Sequence, residues 1–574
     1  MRRSRVTAMH LMPRRRTASR WVTVLVAALV AAACTSVDRE DLPYALPIDD
    51  DPSGRVDTAD APDAALTVDD DVEIGTLDNG LTYYMRENQA PGGSVTVRLV
   101  VDAGSRQQVA PDDGVAHFLE HMLFNGTERW PGNELDRVLQ TLGAGIGPDI
   151  NAYTSFDETV YELTVSTFDD EAVETAFAVL AEWSARATID PAEVIAERGV
   201  VRDEYRQRVE NSAATVGNAL LDIYVADTPY DGRAPIGSVA AIEATEAPAL
   251  RAFYERWYHP ENMAVVVVGD LSVTEMRRHL EQAFDQVDHH GPPPERPTRL
   301  EIQPDPAGLA DVFTHPEEVV DNLSVDWLRP PSDPATVEGA RIELLDDLIV
   351  SMLTSRLDDA YLAGRLAVDR SPSISRFGVA RHLEFFGTNL RGTDLALAYT
   401  QLLGFLLAAA EDGFTAAELA DAIRERESAL SAWEDAVATT NDLAWSQGYV
   451  NHFLTGVGAE APATTIQRER DILETLDVDE LSRRWASIHQ QSGPIAVALG
   501  ADEQTLPTVA ELEAIAANVA PIAPAERSDA IAALMEPPRR SSPTPPNVDR
   551  GPSGPSTSVA TRTERRSCSS AHRS

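Results

Sequence analysis

The sequence contains no lysine, because all 48 of its basic residues are arginine. This absence excludes enzymes that form a Schiff base on lysine and phosphate-binding loops that depend on one. Aspartate and glutamate together number 92, which gives a formal net charge of −44. A chain with this charge repels polyanions, so the sequence argues against a nucleic-acid partner.

Cysteine is almost absent as well, with Cys34 and Cys568 the two examples in 574 residues. A zinc site built from cysteines is therefore excluded, and a lipid on Cys34 would also exclude a disulfide. The rest of the composition, 43% hydrophobic and 24% charged, is that of a globular protein long enough for several domains.

The first 34 residues have the pattern of an export signal. Seven arginines and no acidic residue precede an apolar run over residues 21–33, which ends in three alanines followed by Cys34. Thirteen residues are too few to span a membrane, which needs about 20. We therefore predict a lipoprotein-type signal peptide over residues 1–34, with a lipid on Cys34 tethering the protein to the membrane. The localisation expected is the periplasm or cell envelope, at the outer membrane. The alternative is ordinary signal cleavage beside an incidental cysteine.

Two segments have compositions that cannot build a core. Residues 35–65 are acidic and rich in proline and aspartate, and we predict a disordered tether there. Residues 526–574 are rich in proline, serine and arginine, and we predict a disordered tail.

The intervening chain repeats itself. Residues 256–270 and 484–502 each read as a helix end, a polar turn and a short apolar strand ending in glycine and aspartate. Residues 161–197 and 383–422 each read as a strand followed by two helices. We infer two copies of one α+β unit, over residues 66–296 and 297–525, with the stretch His289-His290-Gly-Pro-Pro-Pro-Glu-Arg-Pro as the hinge between them. Each copy is expected to be a mixed or antiparallel sheet with helices on one face.

Residues 117–121 read His-Phe-Leu-Glu-His. On a helix, His117 and His121 lie one turn apart on the same face, where two imidazoles can hold one zinc ion. Glu120 lies on that face too and could take a proton from water at the metal. The bland alternative is a pair of surface histidines on an amphipathic helix.

A catalytic zinc site needs a third protein ligand. The helix predicted to begin at Asp190 carries Glu197 and Glu204, seven residues apart and hence on one face. One could bind the metal while the other orients a histidine. The residues alone leave open which does which, and a solvated acidic face is the alternative.

Three segments carry a resemblance to a known family: GVAHFLEHMLFNGTERWP, DINAYTSFDETVYEL and ERGVVRDEYRQR. Together they resemble the pitrilysin/insulinase family of zinc metallopeptidases, in which H-x-x-E-H is followed by a distal glutamate. The resemblance implies one zinc per chain, His117 and His121 as ligands and Glu120 as general base. It implies Glu204 as the third ligand and Glu197 as its supporting acid.

The resemblance also implies a peptide-binding strand. Asn151 matches the position that grips the substrate backbone, and Ala152 belongs to the edge strand to which the peptide adds. The second copy lacks the motif, so the resemblance implies that it is a non-catalytic structural partner.

Family members close as a clamshell of four such units, so two units correspond to one half. The expected function is a zinc endopeptidase acting on peptides or unfolded segments, with a homodimer or a second half-chain completing the site. The alternative is an incomplete or non-catalytic half that acts as a scaffold or peptide-binding lipoprotein. The altered composition of the tail leaves open a frameshift or truncation.

Overall fold

The computed structural model describes residues 64–109, 113–142, 147, 149–209, 212–285, 287, 292–295 and 297–524. The predicted signal peptide, Cys34, the tether up to residue 63, His289 and His290 of the hinge, and the tail lie outside the described residues.

The first unit contains a six-stranded sheet. Its strands are β1 (Glu73–Thr76), β2 (Thr82–Glu87), β3 (Ser94–Val101), β4 (Ile150–Thr154), β5 (Thr159–Ser166) and β6 (Met263–Gly269). They lie in the order β1-β2-β6-β3-β5-β4. Only β2 and β6 run parallel, so the sheet is mixed, and β4 forms one free edge.

Eight helices belong to this unit among the described residues. They are α1 (Val115–Phe124), α2 (Asn133–Thr141), α3 (Asp170–Ala185), α4 (Pro191–Arg208), α5 (Ser212–Val225), α6 (Val239–Ala244), α7 (Ala247–Trp257) and α8 (Val273–Phe284). The side chains of Asp169 and Asp190 cap the first turns of α3 and α4, which explains why those helices begin where they do.

The second unit repeats the arrangement. Its strands are β7 (Leu309–Thr314), β8 (Asn322–Leu328), β9 (Ser375–Ala380), β10 (Leu383–Arg391) and β11 (Ile495–Gly500), in the order β7-β11-β8-β10-β9. Without β1, the first sheet has this same order and the same single parallel pair. The predicted α+β fold of two homologous units is confirmed.

Seven helices of the second unit follow in the same sequence as their counterparts. They are α9 (Val337–Leu362), α10 (Leu395–Asp412), α11 (Ala416–Ala436), α12 (Asp442–Thr455), α13 (Pro462–Thr475), α14 (Val478–Gln491) and α15 (Val509–Asn518). Helix α10 is long and apolar enough to cross a membrane, but it is largely buried against the second sheet.

Each sheet is covered on both faces, and the second face is covered by the opposite unit. The expected layer of helices packs on one face of each sheet. On the other face of the first sheet, α12 of the second unit buries Tyr449, Val450 and Phe453 against valines of β3, β5 and β6. Helix α5 of the first unit packs reciprocally on the second sheet, where the Tyr224 ring lies 4.7 Å from that of Phe385.

This exchange of helices explains the sequence of β6. Its seven residues, MAVVVVG, are all buried and show no alternation between apolar and polar positions. A strand that is covered on one face alternates, whereas one covered on both faces is continuously apolar.

We expect Phe453→Ala to lower the free energy of unfolding by roughly 3–5 kcal/mol, because it removes a buried ring from the contact between α12 and the first sheet. The measurement is urea unfolding followed by circular dichroism. Leu443→Ala, at an exposed position of the same helix, is the control and should change stability by no more than about 0.5 kcal/mol. Equal effects of the two substitutions would contradict the assigned packing.

Candidate metal centre

Helix α1 presents one polar edge from an otherwise buried helix. Phe118, Leu119 and Met122 pack into the core of the first unit and fix the helix against the sheet. His117 and His121 therefore lie together on the remaining face, with ring centroids 4.9 Å apart. The H-x-x-E-H motif lies within helix α1, as predicted from its spacing.

Helix α4 brings two carboxylates to this edge. Glu204 Oε2 lies 2.9 Å from His121 Nε2 and 3.6 Å from His117 Nε2. The ligand atoms of these three side chains all lie within 4.8 Å of one another. Glu197 Oε1 lies on the other side of His121, 2.9 Å from Nδ1. Glu204 thus joins the two histidines, whereas Glu197 contacts the outer nitrogen of one of them.

Opposite charges hold the cluster together. Burial lowers the pKa of His121, but its hydrogen bonds to Glu197 and Glu204 outweigh burial and raise the pKa to about 10. Burial raises the pKa of Glu204, but hydrogen bonds with His117 and His121 hold it well below its usual range. His121 therefore lies between two carboxylates, and each of them favours its protonated form.

The donor set fits a divalent metal ion. Two imidazole nitrogens and one carboxylate oxygen, converging within a few ångströms, are the ligands of a catalytic zinc site. Two further contacts support the carboxylates: Asn125 Nδ2 donates to Glu197 Oε2 at 3.0 Å, and Arg208 Nε lies 2.8 Å from Glu204 Oε1. Among the described residues, no second group of three histidine, cysteine or acidic side chains brings its ligand atoms within 4.8 Å of one another.

Glu120 lies on the same edge and is 8% exposed. The hydroxyl of Thr154, in β4, donates a hydrogen bond of 2.6 Å to Glu120 Oε2. This contact was not predicted from the sequence. The signal was present, since Thr154 belongs to the Asn-Ala-Tyr-Thr-Ser segment, but which side chain it would meet depends on the fold.

An open groove of about 870 Å³ runs past the cluster between α1, α2, α4 and β4. Its lining residues are Glu120, His121, Phe124, Asn125, Asn133, Asp136, Leu139, Gly147, Ile150, Asn151, Ala152, Glu197, Val200, Asp203, Glu204 and Gln207. Arginine and tyrosine are missing from this lining, as far as the structure describes it.

Strand β4 lines the groove with an unpaired backbone edge. Hydrogen bonds at both ends of the β4–β5 ladder show which residues of β4 bond to β5. Thr164 N–H donates to the Asp149 carbonyl, and Ser155 N–H donates to the Glu158 carbonyl. Because bonded positions alternate in an antiparallel pair, Ala152 turns its N–H and C=O to the free edge.

Asn151 is exposed beside this edge. Its side-chain Oδ1 accepts a hydrogen bond of 3.0 Å from the Ala152 N–H. The Asn151 side chain therefore bonds the Ala152 N–H, which is the backbone group that a pairing strand would use.

In the second unit, over the described residues 297–524, no such cluster occurs. Aligning α4 with α11 on the glutamate at the third position of each helix places Ala422 opposite Glu197 and Ala429 opposite Glu204. In this alignment, methyl groups stand where the first unit has its two carboxylates.

The strand of the second unit that corresponds to β4 carries an arginine. Tyr161 in β5 and Phe386 in β10 lie at the same distance in sequence before the aspartates that cap α3 and α10. Their partners on the neighbouring strands are Ala152 in β4 and Arg376 in β9, which therefore correspond. Its guanidinium contacts Glu343 and lies 2.7 Å from Asp347 Oδ1, two carboxylates four residues apart on α9. At the strand that corresponds to β4, the second unit thus has an ion-pair cluster.

Two family models match the chain. One is described as insulinase (peptidase family M16) and matches residues 83–233; the other is the peptidase M16 inactive domain and matches residues 246–426. Together they cover more than half of the chain. The second match begins ahead of β6, so it takes in the last strand of the first sheet as well as most of the second unit.

Individual relatives agree. The chain is 29% identical to the probable zinc protease PqqL of Escherichia coli strain K12, over 74% of this chain and 46% of the relative. It is 30% identical to the corresponding protein of Haemophilus influenzae, over 63% of this chain and 39% of the relative. The chain spans less than half the length of these curated relatives.

Two solved structures resemble the chain. The first half of the periplasmic protease PqqL from Escherichia coli superposes with a TM-score of 0.73 and 26% identity, covering 79% of this chain and 97% of that one. The whole PqqL structure matches with a TM-score of 0.72, and 52% of it is covered. The paired sheets, the H-x-x-E-H helix and these matches lead to one conclusion: the chain belongs to the pitrilysin/insulinase family, peptidase family M16.

Proposed function

We propose that this chain is the metal-binding half of a zinc-dependent endopeptidase that hydrolyses peptides or unfolded protein segments. The observation that carries the proposal is the convergence of His117, His121 and Glu204 in a groove that also holds Glu120 and a free strand edge. The three side chains would hold one zinc ion per chain. The names of the relatives, zinc proteases, support the same chemistry.

Zinc, when bound, would polarise the scissile carbonyl and acidify the attacking water. Glu120 accepts a proton from that water and delivers it to the leaving amine. Thr154 holds one oxygen of Glu120 through its hydroxyl, which leaves the other oxygen available. Glu197 orients the ring of His121 by a hydrogen bond to Nδ1, the ring nitrogen that does not face Glu204.

The substrate binds as an added strand. Ala152 offers its backbone N–H and C=O at the edge of β4, and a peptide pairing there lies along the groove beside Glu120. Asn151 moves its amide from the Ala152 N–H to the peptide backbone. Backbone pairing favours extended or unfolded segments over folded surfaces.

A partner half completes the site. The chain covers 97% of the first half of PqqL and 52% of the whole, which supports a clamshell with a second half as homodimer or separate chain. The alternative is an incomplete half that binds zinc and peptide without turnover, as a scaffold or peptide-binding lipoprotein.

We place the protein in the periplasm or cell envelope. The charge pattern of residues 1–34 indicates export, and the PqqL of Escherichia coli is named a periplasmic protease. A lipid on Cys34 would tether it to the outer membrane.

We expect the chain from residue 35 onward to cleave a quenched fluorescent peptide library when zinc is present, and a chelator to abolish cleavage. Glu120→Gln should retain one zinc per chain and lower kcat by about 10²–10⁴-fold, because the proton acceptor is lost. Normal cleavage by that variant would refute the assignment of the base. Bound zinc without any cleavage in the wild type would favour the incomplete half.

We expect Glu197→Gln to weaken zinc binding by about 10–100-fold, because the neutral amide no longer orients and charges His121. Competition with a zinc-sensitive dye measures this affinity. Asp203→Asn makes the same charge change on the same helix at an exposed position and should leave the affinity unchanged. If the two variants behave alike, Glu197 has no specific role.

A further inference from the structure

The turn between β9 and β10 of the second unit reaches into the first unit. Its Arg381 is 6% exposed and makes contacts with two elements of the catalytic-type unit. One guanidinium nitrogen lies 2.7 Å from Asp102 Oδ1, at the end of β3. The other donates to the Asp157 carbonyl and lies 3.2 Å from Glu158 Oε2.

Asp157 and Glu158 form the turn that joins β4 to β5. The backbone N–H of Arg381 also donates to Asp157 Oδ2, so the two turns meet through both backbone and side chain. Thr154, which holds Glu120, is the last residue of β4 and lies immediately before this turn. The end of β4 is thus held by a side chain from the opposite unit.

The contact between the two turns depends on the balance of buried charges. Asp102, Asp157 and Glu158 are three carboxylates in one largely buried place. Arg106 of the first unit pairs with Asp157, and Arg381 supplies the second cation. Without Arg381, Asp102 and Glu158 lose the guanidinium that they share, and like charges in a buried turn repel each other.

We propose that Arg381 is a positioning residue: it clamps the β4–β5 turn and so holds the substrate-pairing strand and Thr154 against Glu120. The second unit then contributes to the site through the guanidinium of Arg381. The effect on turnover rests on the proposed function, whereas the clamping of β4 does not.

The test is hydrogen exchange followed by mass spectrometry on the full exported chain carrying Arg381→Gln. We expect amides of β4 and its turn to exchange about tenfold faster than in the wild type, with exchange in the other strands unchanged. The matched control is Arg86→Gln, which breaks another buried contact between the units, to Tyr449, at the far side of the same sheet. It should leave β4 exchange at the wild-type rate.

Wild-type exchange of β4 in Arg381→Gln would overturn the proposal, as would equal acceleration by the control. If Arg381→Gln does not fold, Arg381→Lys decides, because one ammonium cannot reach both Asp102 and the turn. Faster β4 exchange in that variant supports clamping, and a wild-type rate overturns it.

Peptide cleavage gives the second readout. We expect Arg381→Gln to lower kcat/KM by about tenfold at full zinc occupancy, because β4 no longer aligns the peptide or Thr154. Arg86→Gln should cleave like the wild type. If the wild type itself shows no cleavage, the proposed function fails, but the exchange experiment still decides the role of Arg381.

Discussion

Both sheets of this protein have two apolar faces, and each unit's own helices cover only one of them. Everything else in the fold depends on how the second faces are kept from water. The solution is an exchange, in which α12 covers the first sheet and α5 covers the second. Because burial of apolar area is the main favourable term in folding, neither unit has a complete core without the other.

This exchange also explains where the metal centre can be. The two faces of the first sheet are occupied, so a substrate can approach at the free edge of β4 and at the helices beside it. Helix α4 precedes α5 in the chain, with two residues outside the described structure between them. The helix that carries Glu204 is thus the one that precedes, in the chain, the helix buried on the opposite unit.

Local patterns in the sequence predicted the fold class, the repeat and the histidine pair, since each depends on residues close together in the chain. The H-x-x-E-H spacing determines which side chains share a helical face. Distinguishing Glu197 from Glu204 required either the family resemblance or the coordinates, because both lie on the same face of α4. The contacts of Thr154 and Arg381 could not be predicted, because they join residues 34 and 279 positions apart. Periodicity shows that a face is apolar, but it does not show which distant helix covers it.

The unpaired edge of β4 has a consequence for the protein in a crowded compartment. A strand with free backbone groups is a template on which other chains can aggregate. Here the edge is five residues long, and Asn151 keeps the Ala152 N–H bonded within its own chain. The glutamates of α4 and Glu120 surround it with negative charge, which repels the equally acidic edge of another copy. The short edge, the Asn151 contact and the surrounding negative charge therefore discourage the protein from polymerising through this strand.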